Sequence, residues 1–400
     1  MRDIGERLQE LRDSGLYRRL RLVEGTQGPR VLLDGSPVQL LCSNNYLGLA
    51  DHPLLREAAA EAALRFGTGA GASRLISGSM EPHRELEARL AEFKRYGAAL
   101  LFGSGYLANC GAIAALAGRG EVVFSDQLNH ASIIDGCRLS RAETYVYRHG
   151  DTEHLAWGLR KAGDRAALIV TDGVFSMDGD LAPLEALADL ARRHGCRLMV
   201  DEAHATGAVG PGGRGSVAAA GLGQEVDLIV GTLGKALGSY GAYVCGSREL
   251  VDYLVNTARP FIFSTAPPPP AAAAAEAGLT LLEATPELVQ RLNENATALR
   301  EALASEGLPV GRSCTQIVPV EIGDAARTMA LCELLLERGV FVQGIRPPTV
   351  PEGTSRLRFA AMATHDSGDL RRAASLVGAA ARELGVAPAL SAAPALSLAA

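Results

Sequence analysis

In the stretch DLIVGTLGKALGSYGAYV, residues 227–244, Lys235 stands among glycines directly after an apolar run. A lysine is costly to bury, and a glycine-rich strand end gives little reason for a merely solvated charge. Two readings are open: an ordinary turn lysine, or an amine that does chemistry. A lysine held close to a cation in a partly desolvated pocket has a lowered pKa and becomes a nucleophile toward an aldehyde.

Other polar residues follow apolar runs in the same way. ALIV is followed by Thr171-Asp172-Gly173-Val174-Phe175-Ser176, RLMV by Asp201-Glu202-Ala203-His204, and EVVFSDQLNHAS brings His130 to a similar position. Asp201 alone could be a helix N-cap or a salt-bridge partner. Its functional reading is a carboxylate facing a cation in a dry site, and a pyridinium nitrogen is such a cation. His204, three residues on, could reach the same ligand; a lone histidine is more often structural, but the neighbouring aspartate and the strand-end position favour a site. GSGYLANCG, residues 103–111, offers backbone N–H groups at a helix N-terminus, a ready phosphate cradle. It has neither GxGxxG nor GxxxxGK[ST] spacing, which disfavours a Rossmann or P-loop nucleotide site. The aldehyde cofactor that needs a lysine, a carboxylate for its ring nitrogen and a phosphate cradle is pyridoxal 5′-phosphate, with Thr232 offering a hydroxyl to the phosphate. A solvated turn lysine would account for Lys235 and for none of the others.

The elements that must position these residues are legible as short β-rich runs alternating with helical patterns. The strand candidates are 98–102, 121–125, 143–147, 167–171, 197–201, 227–231 and 242–246. Near-continuous apolar strands imply a mostly parallel sheet buried on both faces, and ligands of such α/β sheets sit at the carboxyl ends of the strands. Before them, VLLDGSPVQLL reads as a hairpin turning at Asp34-Gly35. After them, APPPPAAAAAE starts a helical region, and TQIVPVEIG, a helix and RLRFAAMAT suggest a smaller α+β unit. The expected division is an N-terminal arm and hairpin over 1–50, a large domain over 51–275, a small C-terminal domain over 276–386, and a disordered, low-complexity tail over 387–400.

Bulk properties narrow the function. The net charge of −6 comes with both signs mixed and no basic block, which argues against nucleic acid as a main partner. The seven cysteines are scattered, odd in number and without a CxxC pair, so a disulfide framework or zinc site is not expected and a reducing cytoplasm fits. The charged N-terminus has no apolar core like that of a signal peptide, and no long uncharged apolar run suggests a membrane span.

The motifs SNNYLGLA, GTGAGASRLISGSMEPHRELE, LNHAS, DGVFSMDGD, DEAHATGAVG, GTLGKALGSYGAYV and RPFIFST together resemble those of the α-oxoamine synthases, over about residues 10–385. The resemblance implies an α/β enzyme of PLP fold type I, aspartate-aminotransferase-like, with a mostly parallel seven-stranded sheet in its large domain. Within the family, IRPPTVPEGTSRLR (345–358) with RPFIFST looks most like the members that join L-alanine to a pimeloyl thioester of CoA or acyl carrier protein, releasing CO2, in biotin biosynthesis. Enzymatic rivals are a glycine C-acetyltransferase and a serine palmitoyltransferase-like enzyme. A PLP-binding regulator is the non-enzymatic rival, which the short N-terminal segment disfavours.

By the same resemblance, Lys235 would bond the cofactor aldehyde and then act as acid and base at the amino-acid α-carbon. Asp201 would hold the pyridinium, and His130 would stack on the ring and face the substrate. His204 and Ser176 would reach the ring's phenolic oxygen region. Gly105, Tyr106 and Thr232 would seat the phosphate. Asn44 and Arg346 would bind the amino-acid or product carboxylate, Thr349 would lie beside the acyl substrate, and Arg18 or Arg19 would meet the pimeloyl carboxylate. The implied assembly is a homodimer with shared sites, in which Ser264 and Thr265 reach the neighbour's phosphate. Ala205 stands where many relatives carry glycine, and Asp172 where glutamate is common.

Overall fold

A computed structural model describes residues 3–386; the expected tail over 387–400 lies outside the described residues. The N-terminal helix Ile4–Asp13 is followed by β1 (Val23–Glu24), β2 (Arg30–Leu33) and β3 (Ser36–Leu40). The expected β2–β3 hairpin forms, with Leu33 paired to Ser36. Asp34 and Gly35 both take positive φ, 50° and 80°, the backbone that a two-residue hairpin with native twist requires.

The central sheet contains the seven expected strands: β4 (Ala98–Phe102), β5 (Val122–Asp126), β6 (Glu143–Tyr147), β7 (Ala166–Asp172), β8 (Arg197–Asp201), β9 (Leu228–Thr232) and β10 (Ala242–Gly246). Their order is β4-β10-β9-β8-β7-β5-β6. All neighbours run parallel except β10, which is antiparallel to both β4 and β9. Alternate side chains feed two cores, as strand geometry demands. Leu101, Phe124, Val200 and Ile229 join one core with the helices Glu81–Lys94, Thr152–Ala162, Leu184–His194 and Pro269–Ala284. Leu100, Val123, Met199 and Val230 join the other with Gly105–Leu116, Ala131–Ser140 and Arg248–Thr257. Each fully buried aliphatic side chain contributes about 1.5–3 kcal/mol, so the doubly buried strands form a stiff platform for the residues at their ends.

The C-terminal strands are β11 (Ile317–Gly323), β12 (Val340–Phe341), β13 (Gln343–Ile345) and β14 (Ser355–Ala360). Three of them form an antiparallel sheet in the order β11-β14-β13, with its own core. β12 instead pairs in parallel with β3, which ties the N-terminal hairpin to this part of the chain. The backbone leaving β14 bonds segment 41–46: Ala360 donates to Leu41 O and Ala363 to Tyr46 O, each at 2.7 Å. This seam brings residues from both ends of the sequence to the central sheet. No helix among the described residues is long and apolar enough to cross a membrane.

Candidate active site

Asp172 and Asp201 end adjacent parallel strands and are direct cross-strand partners. Both are buried. Asp201 Oδ1 accepts from Ala203 N at 2.8 Å and Oδ2 from Asn109 Nδ2 at 2.6 Å; Asn109 also donates to Ser132 Oγ at 2.8 Å. Other interior acids, Glu87, Glu202 and Asp126, each hold a basic side chain. Among the described residues, Asp201 and Asp172 hold none. Burial, and then the charge of Asp201, push Asp172 well above the usual carboxylate range.

Lys235 leaves the end of β9 in a tight turn, in which Gly238 N donates to Lys235 O at 3.1 Å. Gly238 has φ +65°, and a Cβ there would lie 2.7 Å from the Leu49 carbonyl carbon. The glycines after Lys235 thus serve the turn and its close seat on residues 49–50. Lys235 Nζ lies 2.8 Å from His204 Nε2, and His204 Nδ1 lies 2.6 Å from the Tyr46 hydroxyl. Burial lowers the amine from its ordinary 10.5 to about 8; Asp201 opposes this and Arg358 adds to it. Burial, then the charges of Lys235 and Arg358, hold His204 well below its ordinary value, as a neutral imidazole.

His130 caps the helix Ala131–Ser140: its Nδ1 accepts from Ser132 N at 3.2 Å, and its backbone N–H donates to Asp172 Oδ2 at 2.8 Å. Water reaches the His130 ring, yet enough protein surrounds it for burial to lower its pKa, with Asp201 opposing and Lys235 adding. Ser176 is buried in the loop after β7, and its carbonyl accepts from Arg358 Nε at 2.6 Å. Arg358 Nη2 also reaches Asn44 Oδ1 at 3.3 Å. Arg358 is buried without a carboxylate partner among the described residues, so its charge is free for an anionic ligand.

Asn44 thus meets Arg358. Arg346 lines a cavity of about 740 Å³ with Arg18, Arg19 and Thr349. Arg346 is buried, donates through Nη2 to Tyr17 O at 3.1 Å, and its Nε finds no partner among the described residues. Burial and then the charge of Arg18 lower its pKa.

Gly105 opens the helix Gly105–Leu116 behind the Ser104 cap, and a Cβ on it would meet nothing within 4 Å. Tyr106, beside it, is 45% exposed and donates its hydroxyl to Asp135. Thr232 Oγ1 donates to Gly241 O at 3.1 Å. Thr265 bridges to Ser73, and Ser264 beside it is half-buried. Asn109, Tyr46 and Arg358 belong to this site, and the sequence reading passed over them. All three lie inside quoted motifs, GSGYLANCG, SNNYLGLA and IRPPTVPEGTSRLR, but nothing in those motifs says what Arg358 faces.

The residues fit pyridoxal 5′-phosphate on three observations: a lysine amine lowered to about 8, a buried carboxylate without a cation, and an open helix N-terminus. The chain has three lysines. Lys94 is buried on Glu202 at 2.6 Å, and Lys161 lies over the Trp157 ring, which leaves Lys235 for an aldehyde at this site.

Comparison with known proteins gives concordant results. The family described as "Aminotransferase class I and II" matches residues 36–377. An 8-amino-7-oxononanoate synthase from Geobacter sulfurreducens is 56% identical over 389 residues, 96% of this chain and 99% of that protein. One from Anaeromyxobacter dehalogenans is 52% identical over 92% of each chain. Among solved structures, serine palmitoyltransferase from S. paucimobilis with a bound PLP–myriocin aldimine superposes with TM-score 0.91 at 35% identity, covering 96% of this chain and 100% of that one. An 8-amino-7-oxononanoate synthase from Francisella tularensis gives TM-score 0.76 at 28% identity, over 86% and 98%.

Proposed function

The chain belongs to the class I and II aminotransferase family and, within it, to the 8-amino-7-oxononanoate synthases, PLP-dependent acyltransferases; from that premise we propose that it condenses L-alanine with a pimeloyl thioester, on CoA or acyl carrier protein, yielding 8-amino-7-oxononanoate, CO2 and the free thiol for biotin biosynthesis. The observation that carries the substrate choice is a pair of arginine sites without carboxylate partners among the described residues. Arg358 with Asn44 adjoins the Lys235 network, and Arg346 with Arg18 lines a cavity of about 740 Å³. An acyl chain ending in a carboxylate supplies a partner for the second site. A wholly apolar acyl chain would leave that cavity's buried guanidinium uncompensated.

Pyridoxal 5′-phosphate would be held by Lys235 at its aldehyde carbon, Asp201 at its ring nitrogen and His130 against its ring. Ser176 and His204 would face its phenolic oxygen, and Gly105, Tyr106 and Thr232 its phosphate. When bound, it supplies an electron sink for a carbanion at the amino-acid α-carbon. The chain's own residues do the rest. Asn109 and Ala203 fix the Asp201 carboxylate by hydrogen bonds at 2.6 and 2.8 Å, so its charge faces the ring site without rotating. Arg358 and Asn44 orient the alanine carboxylate. Lys235, lowered to about 8, takes and returns the α-proton, and neutral His204 steadies the amine without adding charge.

A second copy of the chain would complete the site through Ser264 and Thr265. Apolar side chains near that segment and the Lys235 turn are open to water in one copy: Ile76 is 80% exposed, Phe263 70% and Tyr240 59%, a surface suited to a symmetric partner. The test is a product assay by mass over L-alanine, glycine and L-serine against pimeloyl, acetyl and palmitoyl thioesters. Alanine with pimeloyl should dominate; a preference for glycine with acetyl or for serine with palmitoyl would replace this reading. Light scattering on the same preparation should give twice the chain mass, and a one-chain mass would contradict the shared site.

A further inference from the structure

His149 follows β6 and has no part in the site described above, yet both of its ring nitrogens are committed. Nδ1 lies 2.9 Å from Asp126 Oδ1, and Nε2 lies 2.8 Å from Asp180 Oδ2. A carboxylate oxygen accepts and does not donate, so both ring nitrogens carry hydrogen and the ring is an imidazolium. Its side packs against Phe175, with ring centroids 4.4 Å apart and planes at 85°.

The two acids belong to different pieces of the site. Asp126 ends β5, four residues before His130, and also accepts from Leu128 N and Gly150 N, each at 2.9 Å. Asp180 sits in the loop that carries Ser176, where Phe175 N donates to Asp180 O at 3.0 Å and Gly179 N to Phe175 O at 2.8 Å. The far side of that loop is held from the C-terminal unit: Arg356 pairs with Asp178, Arg358 Nε donates to Ser176 O at 2.6 Å, and Thr315 Oγ1 donates to Gly179 O at 2.9 Å. His149 supplies the hold on the near side.

We propose that His149 is a positioning residue, a doubly donating pin between Asp126 and Asp180 that sets the loop bearing Ser176 against the strand end leading to His130. The consequence for cofactor binding rests on the reading of the Lys235 site given above. Two other charged groups on the His149 segment are engaged elsewhere: Arg148 pairs with Asp151 at 2.7 Å. His154, on the following helix, accepts from Arg148 N at 3.0 Å. From the packed loop, Asp178 is taken by Arg356, and the Cys314 thiol is near Asp180. Asp126 and Asp180 are thus the charges that face the ring. Burial alone would lower the imidazole pKa, but their hydrogen bonds and charges raise it from 6.5 to about 10. The pin is therefore fully formed below 6.5 and is lost as pH rises through about 10.

The test is amide hydrogen exchange on the full chain, corrected for intrinsic base catalysis, together with titration of pyridoxal 5′-phosphate by absorbance. His149→Gln should speed exchange at Phe175 and Gly179 and weaken cofactor binding about ten-fold, the equivalent of one lost charge-assisted hydrogen bond. Asp180→Asn removes one of the two charges and should move the alkaline onset of fast loop exchange to lower pH than in the unsubstituted protein. Unchanged loop exchange in both variants, with unchanged cofactor affinity, would overturn the pin. Absence of cofactor binding by the unsubstituted protein would instead sink the reading of the Lys235 site, and the exchange measurement would still decide the role of His149.

Discussion

The surroundings of Lys235 disfavour its own charge. Burial lowers the amine to about 8, so a large neutral fraction exists at mildly alkaline pH, where an ordinary lysine at 10.5 would be almost wholly protonated. The rate of cofactor uptake should therefore rise with pH to a midpoint near 8, read by stopped-flow absorbance; a midpoint near 10.5 would contradict the assigned environment. At this scale the sequence was informative where a reactive residue follows an apolar run: Lys235, Asp201 and His204 were singled out that way, and the fold sets Lys235 against His204 and within reach of the Asp201 charge. It was silent where partners come from distant segments. Asn44 and Arg358 are 314 positions apart, and the Tyr46–His204 bond spans 158. The resemblance pointed Asn44 and Arg346 at one carboxylate; the contact of Asn44 with Arg358, across the chain, was not legible.

Most strands of the central sheet were legible because both of their faces are buried, which makes them nearly continuous apolar runs; the edge strand β6 is largely exposed and read instead from its β-branched and aromatic residues. The reversed direction of β10 was not legible, since a buried strand has the same composition in either direction. Nor was the parallel pairing of β3 with β12, a contact between opposite ends of the chain. That seam, together with the bonds from β14 to residues 41–46, delivers Arg358 to the site on a strand rather than a mobile loop. Arg358→Gln should accordingly raise KM for the amino acid about ten-fold or more, as expected for loss of a charged hydrogen-bond donor to a carboxylate. Because Arg358 helps lower the Lys235 amine, the same substitution should move the midpoint of cofactor uptake upward. Steady-state kinetics over alanine concentration, with the uptake profile, checks both; an unchanged KM would remove Arg358 from the carboxylate site.

For the whole molecule, the account reduces to one bond position in a chain with few alternatives. Three lysines are present, and the fold commits Lys94 to the buried Glu202 and leaves Lys161 on a surface helix over Trp157. Borohydride reduction of the cofactor-loaded protein, followed by digestion and peptide mass mapping, reads the bond directly. A phosphopyridoxyl group should be found on Lys235 in near-stoichiometric yield. Label on Lys94, on Lys161 or on no lysine at all would contradict the placement of the reactive amine beside His204 and Asp201.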